Sequence, residues 1–324
     1  MIEELLPNLF RIEIPLPNSP LKYLNSYVIR DSERNMIIDT GLNRKECLEA
    51  MKAGLREIDV DLEKTDFFIT HLHADHFALV PQLFTEGRTI YFNRPDTEII
   101  EARGSWETML DYAGLNGFPR EALETALKNH PGYKFGSDWV PELSILSDDD
   151  TIHIGDYQFT CIETPGHTRG HTCLYEPTRK VLLSGDHILI DITPNIQCWS
   201  DKDNPLSKYL ASLDKVYDLD VDLVLPGHRR LFKDHRKRID ELKNHHKRRA
   251  DEVLSILESG PSHAFQVASG MTWDIAYESW EDFPLMQKWF ATGEAIAHLR
   301  YIEDLGHVSR KTDTGLTLFS LNNN

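Results

Sequence analysis

Thr70-His71-Leu72-His73-Ala74-Asp75-His76 sets four potential metal ligands within six consecutive positions, His71 to His76. The stretch directly follows Phe67-Phe68-Ile69, an apolar run that reads as a short buried strand. Neutral imidazole and carboxylate are the donors a borderline metal such as zinc prefers. A core strand would not carry three histidines and an aspartate, because each would need a buried hydrogen-bonding partner. The reading is a metal-binding loop at the end of a strand.

Three later segments repeat the arrangement. Pro165-Gly166-His167-Thr168-Arg169-Gly170-His171 follows a strand-like run at Cys161, and Ser184-Gly185-Asp186-His187 follows one at Val181. Pro226-Gly227-His228 follows Leu223-Val224-Leu225. Each time a ligand type stands on a loop just beyond an apolar strand, which is how a rigid sheet delivers ligands to one shared edge. Two metals about 3.5–4 Å apart need roughly seven ligands and a bridging group. An aspartate suits the bridge, since its two oxygens can bind two ions.

The rest of the chain alternates strands and helices. Residues 8 to 40 read as a strand meander, and 43 to 58 as a helix with Asn43 at its N-cap. Phe77 to Phe84 reads as a helix and Thr89 to Phe92 as a strand. From 94 to 146 the text turns helical and aromatic (Trp106, Met109, Tyr112, Phe118, Tyr133, Phe135, Trp139), which fits either an insertion over a site or a packed helical layer. Strands resume at Thr151, Phe159, Thr172 and Val181, and a helix at 205 to 217 precedes the strand at Leu223. The expected class is a layered α/β core with sheets inside and helices outside. Past Arg230 the order is helix 236 to 257, helix 265 to 269, helix 286 to 305 and a hairpin at 306 to 319, the order of a winged helix-turn-helix. Two domains are expected, 1–232 and 233–324.

Composition narrows the function classes. The net charge of −17 over 324 residues argues against general nucleic-acid binding. From residue 235 onward 11 basic residues face 13 acidic ones, and the dense clusters Arg236-Lys237-Arg238 and Lys247-Arg248-Arg249 read as a solvated helix face. His235, His245 and His246 are read the same way, and His298 and His307 as packing or surface groups. The four cysteines show no paired spacing, which argues against a disulfide framework, and Cys161 and Cys173, in strand-like runs, read as small buried apolar groups. No run is long and apolar enough for a membrane helix, and no signal peptide is visible, so cytoplasmic residence is the default.

The order H-x-H-x-D-H, P-G-H-T, G-D, P-G-H resembles the metallo-β-lactamase-fold hydrolase superfamily over residues 8 to 230, with a glyoxalase II-like ligand set. The resemblance implies an αββα sandwich carrying the helical insertion 94–146. It implies that His71, His73 and His167 bind a first metal, that Asp75, His76 and His228 bind a second, and that Asp186 bridges them. Asp39, in Ile38-Asp39-Thr40-Gly41, would support the metal loop from behind, as would His171, while His187 stays ambiguous. True β-lactamases of this fold usually lack the histidine after the motif aspartate and often use a cysteine ligand; His76 and Asp186 stand there here. The C-terminal residues 286 to 319 are similar to the winged helix of one branch, which includes an RNA-cleaving hydrolase.

The expected activity is hydrolysis of a small ester, thioester or lactone by a hydroxide held between two divalent metals. Asp75 would serve as catalytic proton shuttle. Zinc is the default ion, and iron or manganese would also fit. A metal-dependent ribonuclease using the winged helix for RNA contact is the first alternative, a mononuclear iron persulfide dioxygenase the second, and a non-catalytic binding or sensor module the third. A small-molecule substrate is expected, nucleic acid is not favoured, and the winged helix could instead pack on the catalytic domain or make a homodimer. Tyr23, Tyr112, Arg169 and Arg229 are candidate substrate contacts.

Overall fold

The computed structural model describes residues 1–102, 105–135 and 142–322; Trp139 lies outside them. Seven strands form the first sheet in chain order: β1 (Ile2–Leu6), β2 (Leu9–Pro15), β3 (Tyr23–Ile29), β4 (Asn35–Ile38), β5 (Thr65–Phe68), β6 (Ile90–Asn93) and β7 (Ser144–Leu146). The first four run antiparallel and the last three add in parallel. The second sheet takes β8 (Thr151–Ile154), β9 (Tyr157–Glu163), β10 (Thr172–Glu176), β11 (Val181–Gly185) and β12 (Leu223–Pro226), in the order β12-β11-β10-β9-β8. Only its β11–β12 pair is parallel.

Strand periodicity of two explains the layers. Met36, Ile38 and Phe68 point inward and meet Phe159, Cys161, Leu174, Leu183 and Leu225 of the other sheet. Their neighbours Ile37 and Phe67 point outward and pack with Cys47, Met51 and Leu55 of the helix Lys45–Glu57. On the far side, Ile162, Cys173, Leu182 and Val224 pack on the helices Pro205–Tyr217, His235–Leu257 and Leu285–Asp304. The result is the helix–sheet–sheet–helix stack.

Some boundaries differ from the sequence reading. The first helix begins at Lys45 with Arg44 in the cap position and no capping side chain, so Asn43 does not cap it. Phe77 to Phe84 is not one helix. A single turn, Ala74–Phe77, ends before a short 3-10 turn at Val80–Gln82, and Pro81 denies the backbone a donor there. The run is apolar because Phe77, Ala78, Leu79, Val80 and Leu83 are all buried, not because one face is. Within 94–146 the helices Arg94–Glu101, Ser105–Leu115, Arg120–Asn129 and Pro131–Phe135 are followed by β7, which belongs to the large sheet. Ala113, Phe118 and Ala126 pack on Trp289, so these helices dock on the C-terminal part of the chain.

Beyond β12 come the helices His235–Leu257, Ala264–Gly270 and Leu285–Asp304, then the antiparallel hairpin β13 (Val308–Asp313) and β14 (Leu316–Leu321). The long helix is not solvated at His235 and His246, while His245 stays half-buried. His235, Ile239, Leu242, His246, Ala250, Val253 and Leu257 form one buried stripe. His246 and His235 are therefore packing residues, and His298 is buried beside His246. The basic clusters are partly spent on structure as well. Arg236 donates to the Tyr217 and Leu219 carbonyls, Arg238 to those of Leu189 and Ile192, and Arg249 to Glu294, Glu252 and the Thr272 carbonyl. Among the described residues no helix is long and apolar enough to cross a membrane.

Candidate metal centre

The ends of β5, β9, β11 and β12 open on one edge of the sandwich, and the four histidine and aspartate segments meet there. The parallel β11–β12 pairing fixes two of them, since Gly227 N–H donates to the Gly185 carbonyl at 2.8 Å. A Cβ on Gly227 would come within 2.7 Å of an Asp186 oxygen and 2.9 Å of the His76 ring, so glycine lets this backbone pass the carboxylate.

The donor atoms fall into three groups, each within 4.8 Å: His71, His73 and His167; His71, His76 and Asp186; Asp75, His76 and His228. Asp186 Oδ2 lies centrally, 3.7 Å from His76 Nε2, 3.5 Å from His167 Nε2 and 3.6 Å from His228 Nε2. Asp75 Oδ2 is 3.3 Å from His228 Nε2.

Tautomers follow from the outward hydrogen bonds. His167 Nδ1 lies 2.9 Å from the Asn195 carbonyl, and His228 Nδ1 2.9 Å from that of Tyr23. A carbonyl only accepts, so each Nδ1 carries a proton and each Nε2 is the atom turned inward. His76 Nδ1 is likewise held by Asp39 Oδ2 at 2.7 Å. The Nε2 atoms of His76, His167 and His228, and Asp186 Oδ1, are buried with no hydrogen-bond partner among the described residues. Leaving four converging polar atoms unsatisfied would cost on the order of 1–3 kcal/mol each. The donor set therefore fits metal ions. His71 Nε2 and His73 Nδ1 face each other at 3.0 Å. Burial, together with the neighbouring imidazoles, holds His71 well below the usual histidine range and takes His73 down to about 3, so both are neutral donors at pH 7.

The supporting groups sit behind. Asp39, in the left-handed region at φ 58°, accepts from Thr70 N–H (2.9 Å), Thr70 Oγ1 (2.8 Å) and His76. His171 is buried; its Nε2 accepts the Asp186 N–H at 3.1 Å and its Nδ1 meets Thr164 Oγ1 at 2.8 Å. His187 stacks edge-on to Tyr209, and both of its nitrogens are buried without a hydrogen-bond partner among the described residues. Of the candidate substrate contacts, Tyr23 acts through its carbonyl on His228. Tyr112 donates to Asp201, Arg169 pairs with Asp203 at 3.5 Å, and Arg229 donates to the Pro20 carbonyl.

Sequence reasoning missed Asp96. This fully buried carboxylate accepts from Leu72 N–H (3.0 Å) between the first two histidines. It also accepts from Thr168 Oγ1 (2.8 Å) and Gly170 N–H (2.9 Å), flanking His167. It ties the two loops of the first donor group together. The available signal was Asn93-Arg94-Pro95-Asp96, a helix start whose Asn93 side chain caps the Asp96 N–H, leaving that carboxylate free to face the loops.

Residues 21–228 match the metallo-beta-lactamase superfamily, and the chain belongs to it. Acyl-coenzyme A thioesterase MBLAC2 of Homo sapiens is 29% identical over 222 residues, covering 64% of this chain and 74% of that protein. The probable metallo-hydrolase YqjP of Bacillus subtilis (strain 168) is 26% identical over 242 residues, covering 71% of this chain and 75% of that one. The crystal structure of a metallo-beta-lactamase family protein from Thermus thermophilus superposes with a TM-score of 0.81 at 26% identity, covering 98% of this chain and all of that chain. The chain is a metal-dependent hydrolase of this superfamily.

Proposed function

We propose that the chain hydrolyses thioesters, with acyl-coenzyme A as its substrate class, using two divalent metal ions. His71, His73 and His167 would hold one, Asp75, His76 and His228 the other, and Asp186 would lie between them. The observation that carries this reading is the set of buried Nε2 and carboxylate atoms that converge without partners. The name of the human relative supports the substrate class. Zinc is the preferred ion, because every donor is nitrogen or oxygen and neutral imidazoles dominate.

Bound metals would supply Lewis acidity and a lowered water pKa. Asp75 is the carboxylate of the centre with most access to solvent, its side chain 20% exposed against 9% for Asp186 and 3% for Asp39. It takes the proton from the attacking water as the oxygen bonds to the acyl carbon, and returns it to the sulfur as the C–S bond breaks. Asp39 and the Asn195 and Tyr23 carbonyls hold the imidazoles in the tautomer that presents Nε2 inward.

The ribonuclease reading has less support, because Arg236, Arg238 and Arg249 of the two basic clusters are engaged by the chain's own carbonyls and carboxylates. The test pairs metal quantification with turnover. Two zinc ions per chain and release of free thiol from acyl-coenzyme A are expected. One iron per chain with oxygen consumption on a persulfide would overturn the proposal.

A further inference from the structure

We infer that an open groove walled by Arg230, Lys233, Lys237 and Arg238 binds the phosphorylated nucleotide end of a coenzyme A thioester, an assignment that rests on the thioesterase reading. The groove is an open cavity of about 250 Å³ whose lining includes these four cations and, on one wall, Ile190 and Phe232. In a chain of net charge −17, four cations within nine residues are a local reversal of sign.

The acidic side chains of this groove are already committed. Glu241 accepts from Arg238 at 2.9 Å, and Asp234 accepts the Lys237 backbone N–H at 3.2 Å as the helix N-cap. Asp191 accepts from Arg230 through both oxygens at 3.0 Å. Arg238 is further held by the Leu189 and Ile192 carbonyls at 2.7 and 2.8 Å, which fixes it in the wall. Lys233 and Lys237 are exposed, and neither ammonium group has an ion pair among the described residues. The four cations against Asp191, Asp234 and Glu241 leave a surplus of one positive charge at the groove. The N-terminal end of the helix His235–Leu257 adds its partial positive charge beside them.

Position decides which anion. Arg230 stands two residues past His228, and Leu189 stands two residues past His187. The groove is therefore built on the two loops that bring Asp186 and His228 to the metal centre. A thioester whose sulfur lies at the centre must send its carrier arm outward, and an arm crossing these loops ends among the lysines. A nucleotide carrying a diphosphate and a separate phosphate supplies charge for the ammonium groups and a purine face for the half-buried Ile190.

The experiment compares acyl-coenzyme A with the same acyl group on N-acetylcysteamine, which has the thioester but no phosphate, in the metal-loaded wild type and in Lys233→Ala/Lys237→Ala. The variant should lose about tenfold of its kcat/KM preference for the coenzyme A substrate, carried by KM and weakened by salt. Calorimetry with adenosine 3′,5′-bisphosphate should show binding to the wild type that the variant lacks. An unchanged preference in an enzyme that hydrolyses acyl-coenzyme A would overturn the groove and leave the thioesterase reading standing. No thioester turnover by the wild type would defeat that reading, and the calorimetry then judges the groove alone: no heat of binding overturns it. Cleavage of RNA by the wild type that the variant loses would overturn it in favour of a phosphodiester substrate.

Discussion

At the sheet edge, His76, His167 and His228 each spend Nδ1 on a fixed oxygen and turn Nε2 toward a shared carboxylate, whereas between the C-terminal helices His246 Nδ1 meets His298 Nε2 and leaves His246 Nε2 buried without a partner among the described residues. His246 Nδ1 lies 3.2 Å from His298 Nε2, and His298 Nδ1 donates to the Glu294 carbonyl at 2.9 Å. Both groups are buried, and burial holds His298 and His73 alike down to about 3. Burial and lowered basicity therefore do not distinguish a metal ligand from a packing residue. What does is where the remaining lone pairs point, and whether a carboxylate waits among them.

The largest break in this comparison should come from Asp186→Asn. The amide keeps the shape but removes the negative charge that the Nε2 atoms of His76, His167 and His228 face. Bound metal should fall and thioester turnover drop by at least about 100-fold, with the circular dichroism spectrum unchanged, since outlying ligand partners alone are worth 10–100-fold. Full metal occupancy with wild-type turnover would sink the two-metal scheme.

Asp96→Asn tests the joint between the two loops, and should act one step more weakly. The amide nitrogen would replace an acceptor facing the Leu72 and Gly170 N–H groups or the Thr168 hydroxyl. Metal affinity should fall about 10- to 100-fold, measured by competition with a chelator. An unchanged affinity would make Asp96 a structural group only.

Asp96 also marks the limit of what could be read beforehand. The ligand segments were legible because each follows an apolar strand, and parallel strands bring their ends to one edge whatever the helices do. Asp96 was not, since its role is set by contacts with residues 72, 168 and 170 that no local pattern announces. The layered fold was legible from the short apolar runs of β4, β5 and β11 and from the way strands and helices follow one another along the chain. The end of the 77–84 run was obscured because that segment is buried on all sides and shows no face. The misreading of His235 and His246 has a different cause. Their spacing with Ile239, Leu242, Val253 and Leu257 already described a buried stripe, but the surrounding arginines and lysines suggested a wet helix.

The smallest expected effect separates the two histidine groups by proton linkage. His298 is neutral when folded, its basicity taken down to about 3 by burial, while an unfolded histidine titrates near 6.5. Between those values the unfolded chain binds a proton that the folded chain does not, so stability falls as the pH drops, by about 1.4 kcal/mol per unit for each such group. His298→Leu removes one such group without touching the metal centre. With metal held in excess, the ligand histidines contribute equally to both proteins and cancel in the difference. The stability lost between pH 6.5 and 4.5, measured by urea unfolding, should then be about 2–3 kcal/mol smaller in the variant than in the wild type. Parallel pH profiles would mean that the His246–His298 pair opens to water when protonated, and that its burial differs from that of the metal-centre histidines after all.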